Sequence, residues 1–161
     1  MSTLTIRSAQ PSDLLAIEAI EKRCFHSSRR SSRRALAHSL RSPSQSVWVA
    51  VVDGETAGAM TLHHRARSIR IYSLGVLPPF RGSGAGRRLV KMAIALARTL
   101  GMPAVVLEAD RRNKVLVGWY ARFGFELDTV LKDYYSPGRH AVRMRLALRP
   151  ALKGGQGCGC S

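Results

Sequence analysis

The stretch Arg81-Gly82-Ser83-Gly84-Ala85-Gly86 sets three glycines at alternate positions between a predicted strand and a predicted helix. Ahead of it, residues 68–76 carry Ile69 and Ile71 and then, after Ser73, Leu74 and Val76. Behind it, residues 87–100 place Leu89, Ala93, Leu96, Ala97 and Leu100 at helical spacing. The loop therefore opens a helix. Unbonded N–H groups and the positive end of the helix dipole converge there on an anion, and the missing Cβ atoms let a phosphate reach the backbone. Two familiar glycine motifs fail: a dinucleotide fingerprint begun at Gly82 and Gly84 needs glycine where Arg87 stands, and no Gly-Lys-Ser/Thr triplet ends a P-loop. The chemistry expected is phosphate binding; a plain connecting turn is the alternative.

The elements around this loop read as one α/β order. Leu4 and Ile6 alternate in a first strand. Pro11, Ser12 and Asp13 suit the start of a helix whose face carries Leu14, Ile17, Ile20 or Glu21, and Cys24, ending near Phe25. Arg29, Arg30, Arg33 and Arg34 follow among serines, ahead of a short amphipathic helix with Leu36 and Leu40. They read either as an electropositive lip or as a solvated helix start. Residues 47–52 and 56–62 form a predicted hairpin about Asp53-Gly54-Glu55. A buried strand is predicted over 104–109, a helix over 114–123, and two closing strands, the last alternating Val142, Met144, Leu146 and Leu148. The prediction is a single α/β domain over 1–150, with a mixed sheet and helices on both faces.

Composition bounds the function. A chain of 161 residues can bury a core without disulfide or metal. Its 26 Lys and Arg against 10 Asp and Glu give a net charge of +16, which points to a polyanion such as a phosphorylated cofactor, RNA, a ribosomal particle or an acidic substrate, or else only aids solubility. Residues 1–9 lack the apolar core of a leader, and no run of eighteen apolar residues occurs, so a cytoplasmic location and no membrane are expected. Cys24 lies in a helical pattern. Cys158 and Cys160 are too small a set for zinc, so no metal is expected, and 151–161 reads as a disordered tail.

Arg81, Gly84 and Gly86 stand at the spacing Arg/Gln-x-x-Gly-x-Gly/Ala, with Val76 and Pro78 ahead of them as Val-x-Pro. Residues Asn113 to Phe125 follow Asn-x-x-Ala-x-x-Leu-Tyr-x-x-x-Gly-Phe, with Leu116 in place of the alanine and Trp119 in place of the leucine. Together these resemble the GNAT acyltransferases over residues 3–149. The resemblance implies the GNAT fold, a mostly antiparallel mixed sheet, and acetyl-CoA as cofactor. It assigns that cofactor to Leu74, Gly75, Val76, Arg81, Gly82, Ser83, Gly84, Ala85, Gly86, Arg87 and Asn113, with the Tyr120 phenol beside the sulfur. Glu108, five positions before Asn113, is similar in placement to the catalytic base of RimI-type ribosomal-protein N-acetyltransferases. That implies Glu108 as base and Tyr120 as acid, with N–H groups of residues 74–76 on the thioester oxygen. A salt bridge to Arg111 or Arg112 is the alternative for Glu108, and a core tyrosine the alternative for Tyr120.

Tyr134-Tyr135-Ser136-Pro137-Gly138-Arg139-His140-Ala141 is similar to the Tyr-Tyr-x-x-Gly-x-x-Ala hairpin of protein N-terminal acetyltransferases. The resemblance implies that Tyr134, Tyr135, Arg139 and His140, with Phe25, hold the acceptor. Arg139 and His140 stand where many members carry an acidic pair, so an acceptor with acidic neighbours is predicted; His140 is also an alternative base. An amine attacks only when neutral, and an α-amino group near pKa 8 is deprotonated more easily than a lysine near 10.4. The expected function is acetyl-CoA-dependent N-acetyltransfer to a protein N-terminus, directly within a ternary complex. A small amine acceptor (polyamine, amino sugar or antibiotic) is the alternative among enzymes. An idle domain that binds RNA or a protein partner is the alternative outside them.

Overall fold

A computed structural model describes residues 2–149. Strand β1 (Leu4–Ser8) leads through a 3-10 turn (Pro11–Asp13) into α1 (Leu14–Cys24), and a second 3-10 turn (Ser27–Arg29) precedes α2 (Arg33–Arg41). A meander of β2 (Gln45–Val52), β3 (Glu55–His64) and β4 (Ile69–Val76) feeds the glycine loop and α3 (Ala85–Thr99). Then come β5 (Ala104–Asp110), α4 (Lys114–Ala121), β6 (Glu126–Ser136) and β7 (Arg139–Ala147). The predicted tail and its two cysteines lie outside the described residues.

The strands make one seven-stranded sheet in the order β1-β2-β3-β4-β5-β7-β6, antiparallel except for β4 beside β5. Helices cover both faces, as the patterning predicts. Ile17 and Ile20 of α1 and Leu36 of α2 pack with Val47, Val49 and Ala59. Leu89, Val90, Ala93 and Ala97 of α3 pack with Met60, Leu62, Ile71, Leu107 and Met144 on the other face. Residues Ala57–Leu62 are buried without alternation because β3 is sandwiched between these layers. Each large apolar side chain so buried stabilises the fold by about 1.5–3 kcal/mol. Among the described residues, no helix is long and apolar enough to cross a membrane.

Two helix ends differ from the sequence reading. α3 starts at Ala85 rather than 87, because Gly84 caps it with φ +92°, which glycine alone adopts freely, and so brings Ala85 and Gly86 into the first turn. α4 stops at Ala121 rather than 123; short-range bonds from the Phe123 N–H to Tyr120 and the Gly124 N–H to Ala121 tighten its end before Gly124 turns at φ +104°.

The register of β4 and β5 is the feature that makes a site. They pair in parallel only through Ile69 with Val105, Arg70 with Val106 and Ile71 with Leu107. Immediately after, Tyr72 is an extra residue in β4, since Thr61 faces Ser73 while Leu62 faces Ile71. Such a bulge bends its strand. β4 leaves β5 there, whereas β7 follows β5 along its other edge as far as Asp110.

Candidate active site

Between the diverging strands lies a cavity of about 1160 Å³, lined by residues of β4, β5, α4, the glycine loop and the β6–β7 hairpin. One end of it is built from main chain. The Val76 carbonyl turns away from β3 and accepts from Arg81 Nε at 3.1 Å and from Cys24 Sγ at 3.4 Å. N–H and C=O of one residue point the same way in a strand, so the N–H groups of Val76 and of Leu74 face the opening too. Gly75 lets α1 approach this edge: an added Cβ would stand 3.0 Å from Cys24 Cβ and 3.2 Å from Ile20 Cγ2. In the loop, Gly82 (φ +85°) and Gly84 (φ +92°) take left-handed backbone. The Ala85 N–H donates to Ser83 Oγ at 3.3 Å, and the first bond along the helix runs from Arg88 N–H to Gly84. The N–H groups of Gly86 and Arg87 therefore have no carbonyl behind them in the helix. A Cβ on Gly86 would meet the Trp119 ring at 3.4 Å. This is a cradle for a diphosphate ester with a long, mainly neutral arm running along β4, and coenzyme A has that shape and chemistry.

Tyr120 and Asn113 come to this end from α4. The Asn113 side-chain oxygen accepts from Leu116 N–H at 3.1 Å and so caps the helix, leaving its amide group to face the cavity. Tyr120 is buried against Trp119 and Phe125, edge-to-face at 4.9 and 5.6 Å, and its hydroxyl makes no hydrogen bond among the described residues. Burial pushes the phenol above its ordinary range, so it stays protonated at neutral pH.

The other end is made of side-chain ion pairs. Glu108, with its side chain only 5% exposed, accepts from Arg70 Nε at 2.9 Å and from Arg143 at 3.2 Å. Arg70 also donates to the Tyr134 hydroxyl at 2.8 Å, which stands edge-on to Tyr135 at 5.0 Å. From the wall between α1 and α2, Arg29 donates to Asp110 at 3.0 Å and lies 3.7 Å over the Tyr135 ring. The Asp110 carboxyl is held below its ordinary range, first by the Arg112 N–H and then by Arg29. Burial raises the Tyr135 phenol. Beside this end His63 stacks on Tyr72 at 4.5 Å, and burial, then Arg70 and Arg65, push its imidazole down, which favours the neutral ring.

The cavity thus gathers Leu74, Gly75, Val76, Arg81, Gly82, Gly84, Ala85, Gly86, Arg87, Glu108, Asn113, Tyr120, Phe25, Tyr134 and Tyr135. Ser83 stands outside the lining and supports it through the Ala85 amide. Arg139 and His140 do not line the cavity. His140 Nδ1 accepts from Asp133 N–H at 3.0 Å and is spent in holding the hairpin. The partners of Glu108 are Arg70 and Arg143 from the flanking strands, not Arg111 or Arg112, because β5 sits between β4 and β7 and its neighbours in space come from them. Sequence reasoning missed Arg70 and Arg143. The apolar pattern gave no signal for them: Arg70 alternates with the buried Ile69 and Ile71, and Arg143 with the buried Val142 and Met144, where that pattern expects a residue on the other face. Of the arginines in residues 27–34, Arg29 lines the cavity and pairs with Asp110, whereas Arg30 donates to the carbonyls of Phe25 and Lys22 and Arg33 pairs with Glu18.

Residues 14–125 match the model of the Acetyltransferase (GNAT) family. The chain is similar to an N-alpha-acetyltransferase of Sulfolobus acidocaldarius, 31% identical over 65% of this chain and 70% of that one. It is also similar to the N-alpha-acetyltransferase MAK3 of Arabidopsis thaliana, 38% identical over 47% of this chain but only 40% of that relative's length. In fold it resembles the ribosomal-protein-S18-alanine N-acetyltransferase of Escherichia coli, with a TM-score of 0.84 at 22% identity, covering 94% of this chain and 98% of that one. A wedge between two parallel strands, a glycine loop opening a helix at its mouth, and a family match over most of the chain agree: this protein belongs to the GNAT acetyltransferase family.

Proposed function

We propose that this protein transfers an acetyl group from acetyl-CoA to the α-amino group of a protein or peptide, directly within a ternary complex. The observation that carries the reading is the wedge itself, whose one end offers a row of backbone donors and whose other end offers a carboxylate and an aromatic hairpin within one cavity. Bound acetyl-CoA supplies the thioester carbon that the amine attacks. Glu108 takes the proton of the incoming ammonium through a water, since both its oxygens already accept from arginines. The N–H groups of Leu74 and Val76 hold the thioester oxygen as charge gathers on it. As the N–C bond forms and the C–S bond breaks, Tyr120 gives its phenolic proton to the departing sulfur, and the second proton lost by the nitrogen restores the phenol.

The acceptor favoured has acidic residues beside its amine. Arg29, Arg70 and Arg143 exceed Glu108 and Asp110 in charge at that end, and the chain as a whole carries +16. This moves the basis of the preference from Arg139 to Arg29 and Arg70.

The double clamp on Glu108 also supports a second reading, in which the carboxylate anchors Arg70 against Tyr134 and does not itself take a proton. Coenzyme A release, followed with a pool of N-terminal peptides and a pool of small amines, tests both. Peptide-dependent release that falls in Glu108→Gln, and recovers as pH rises and the amine deprotonates unaided, supports the base. An equal loss at every pH supports the anchor. Release with polyamines or amino sugars alone overturns the peptide reading.

A further inference from the structure

Part of the chain's positive charge lies away from the acceptor end. Residues 56–107 contain no Asp or Glu, and neither do residues 111–125. α3 and α4 fall wholly within these stretches, so the helical layer over one face of the sheet carries cations and no anion. Between the two helices runs a groove of about 720 Å³ lined by Arg87, Lys91, Arg98 and Arg122, with Trp119 and Phe123 among them. The four cations are exposed, the two rings half-buried, and none of the four forms an ion pair among the described residues.

Geometry sets the size of the ligand. Arg87, Lys91 and Arg98 lie at i, i+4 and i+11, within about 40° of one another around the helix, and span about 16 Å along it. A single phosphate or diphosphate cannot reach that far. Arg87 and Arg122 line the acetyl-donor cavity as well, whereas Lys91 and Arg98 line the groove alone. The unexplained part of the stripe therefore continues past any cofactor held by the glycine loop. Arginine forks match phosphate oxygens two at a time, and the two half-buried rings among them suit contact with bases. Acidic polypeptide would satisfy the charges and leave the rings without a use.

We propose that the α3–α4 groove binds a nucleic-acid strand through its phosphodiester backbone, beside the acetyl-donor site and independently of the acceptor that the enzyme modifies. The charge without a role in acetyl transfer then has one. Such binding carries a steep salt dependence, with a slope of about 0.7 per phosphate contact on a single strand.

The test is fluorescence anisotropy of labelled 20-nucleotide RNA and DNA of one sequence, titrated with the full chain from 50 to 200 mM salt. Lys91→Glu/Arg98→Glu should weaken binding more than tenfold at 50 mM salt and lower the salt slope by about 1.4, two contacts at about 0.7 each. Arg41→Glu/Lys132→Glu makes the same change of net charge on exposed residues elsewhere and should weaken it less than threefold. The milder Lys91→Gln/Arg98→Gln pair, with coenzyme A affinity and circular dichroism as checks, guards against loss of fold. Whichever of RNA and DNA binds more tightly identifies the ligand. Equal loss in the two reversal variants, no binding of either strand at 50 mM salt, or polyglutamate of equal charge binding as tightly would overturn the proposal.

Discussion

The two ends of the cavity are built from different materials. At the donor end the groups that face the ligand are main-chain N–H groups of Leu74, Val76, Gly86 and Arg87, positioned by a bulge at Tyr72 and by left-handed glycines. At the acceptor end they are side chains, held in pairs that join distant parts of the chain: Arg29 with Asp110, Arg70 with Glu108, Arg143 with Glu108. A backbone cradle depends on local conformation and tolerates changes of side chain around it. A web of ion pairs depends on several arginines meeting two carboxylates, and one substitution resets its charge. The difference teaches where such a site can vary: the donor end rests on local backbone geometry, and on the proposed function the acceptor end is where this chain would set its preference.

Four substitutions would break or sharpen that comparison. The largest effect belongs to Tyr120→Phe, where the two ends meet. It should lower kcat by about 100-fold or more, within the usual range for a lost general acid, while stability stays within about 1 kcal/mol because no protein hydrogen bond is broken. Steady-state rates together with thermal melts check it, and an unchanged kcat would return Tyr120 to the core. Gly84→Val comes next. A β-branched residue cannot hold φ +92°, so the cap of α3 should distort and the dissociation constant of coenzyme A rise about tenfold or more by calorimetry, with little change in which peptide is preferred.

Arg29→Glu should do the reverse. Coenzyme A affinity should hold, while the ratio of kcat/KM for a peptide with an acidic second residue over a neutral one falls about twofold to fivefold, the scale of one partly exposed ion pair. A ratio that does not move would remove the acceptor end from specificity. Smallest is Arg7→Met, a reference pair outside the cavity. Arg7, first by hydrogen bonds and then by charge, holds the Asp13 carboxyl below its ordinary range, with the Gln10 N–H assisting. The folded pKa is depressed, so the stabilisation is present above about pH 4, where the unfolded carboxyl is also ionised, and is lost as pH falls through the lower folded value. Solvent on the Arg7 side limits the effect to about 0.2–1 kcal/mol at pH 7. Denaturant melts of the two proteins should converge near pH 2.

How much of this was legible in the sequence follows the same division. The donor end could be read from residues 76–87 because backbone conformation is encoded locally: alternate glycines, an apolar alternation before them and a helical period after. Asn113 and Tyr120 came through the resemblance to the family spacing rather than through a local pattern, and they stand at the cap and within one short helix. The order of elements was also plain, since apolar runs parted by Asp53-Gly54-Glu55 precede the glycine loop and a helical period follows it. The acceptor end was legible only in part: the resemblance supplied Phe25, Glu108, Tyr134 and Tyr135, which line the cavity, but not the partners of the carboxylates. Arg70 meets Glu108 across 38 positions and Arg29 meets Asp110 across 81, and which arginine among so many faces a given carboxylate depends on sheet order, which no local period records. The hairpin misled for a related reason. Its residues lie side by side in sequence, but the irregular pairing between Leu131 and Ser136 breaks the alternation, so that Tyr134 and Tyr135 both line the cavity while Arg139 and His140 do not.

The most direct test of the central claim is tandem mass spectrometry of one peptide carrying a free α-amine, an acidic second residue and an internal lysine, after incubation with acetyl-CoA. The account predicts acetylation of the α-amine, with the lysine left free and the product lost in Tyr120→Phe. Acetyl found on the lysine alone, or on neither amine while coenzyme A binds tightly, would contradict it.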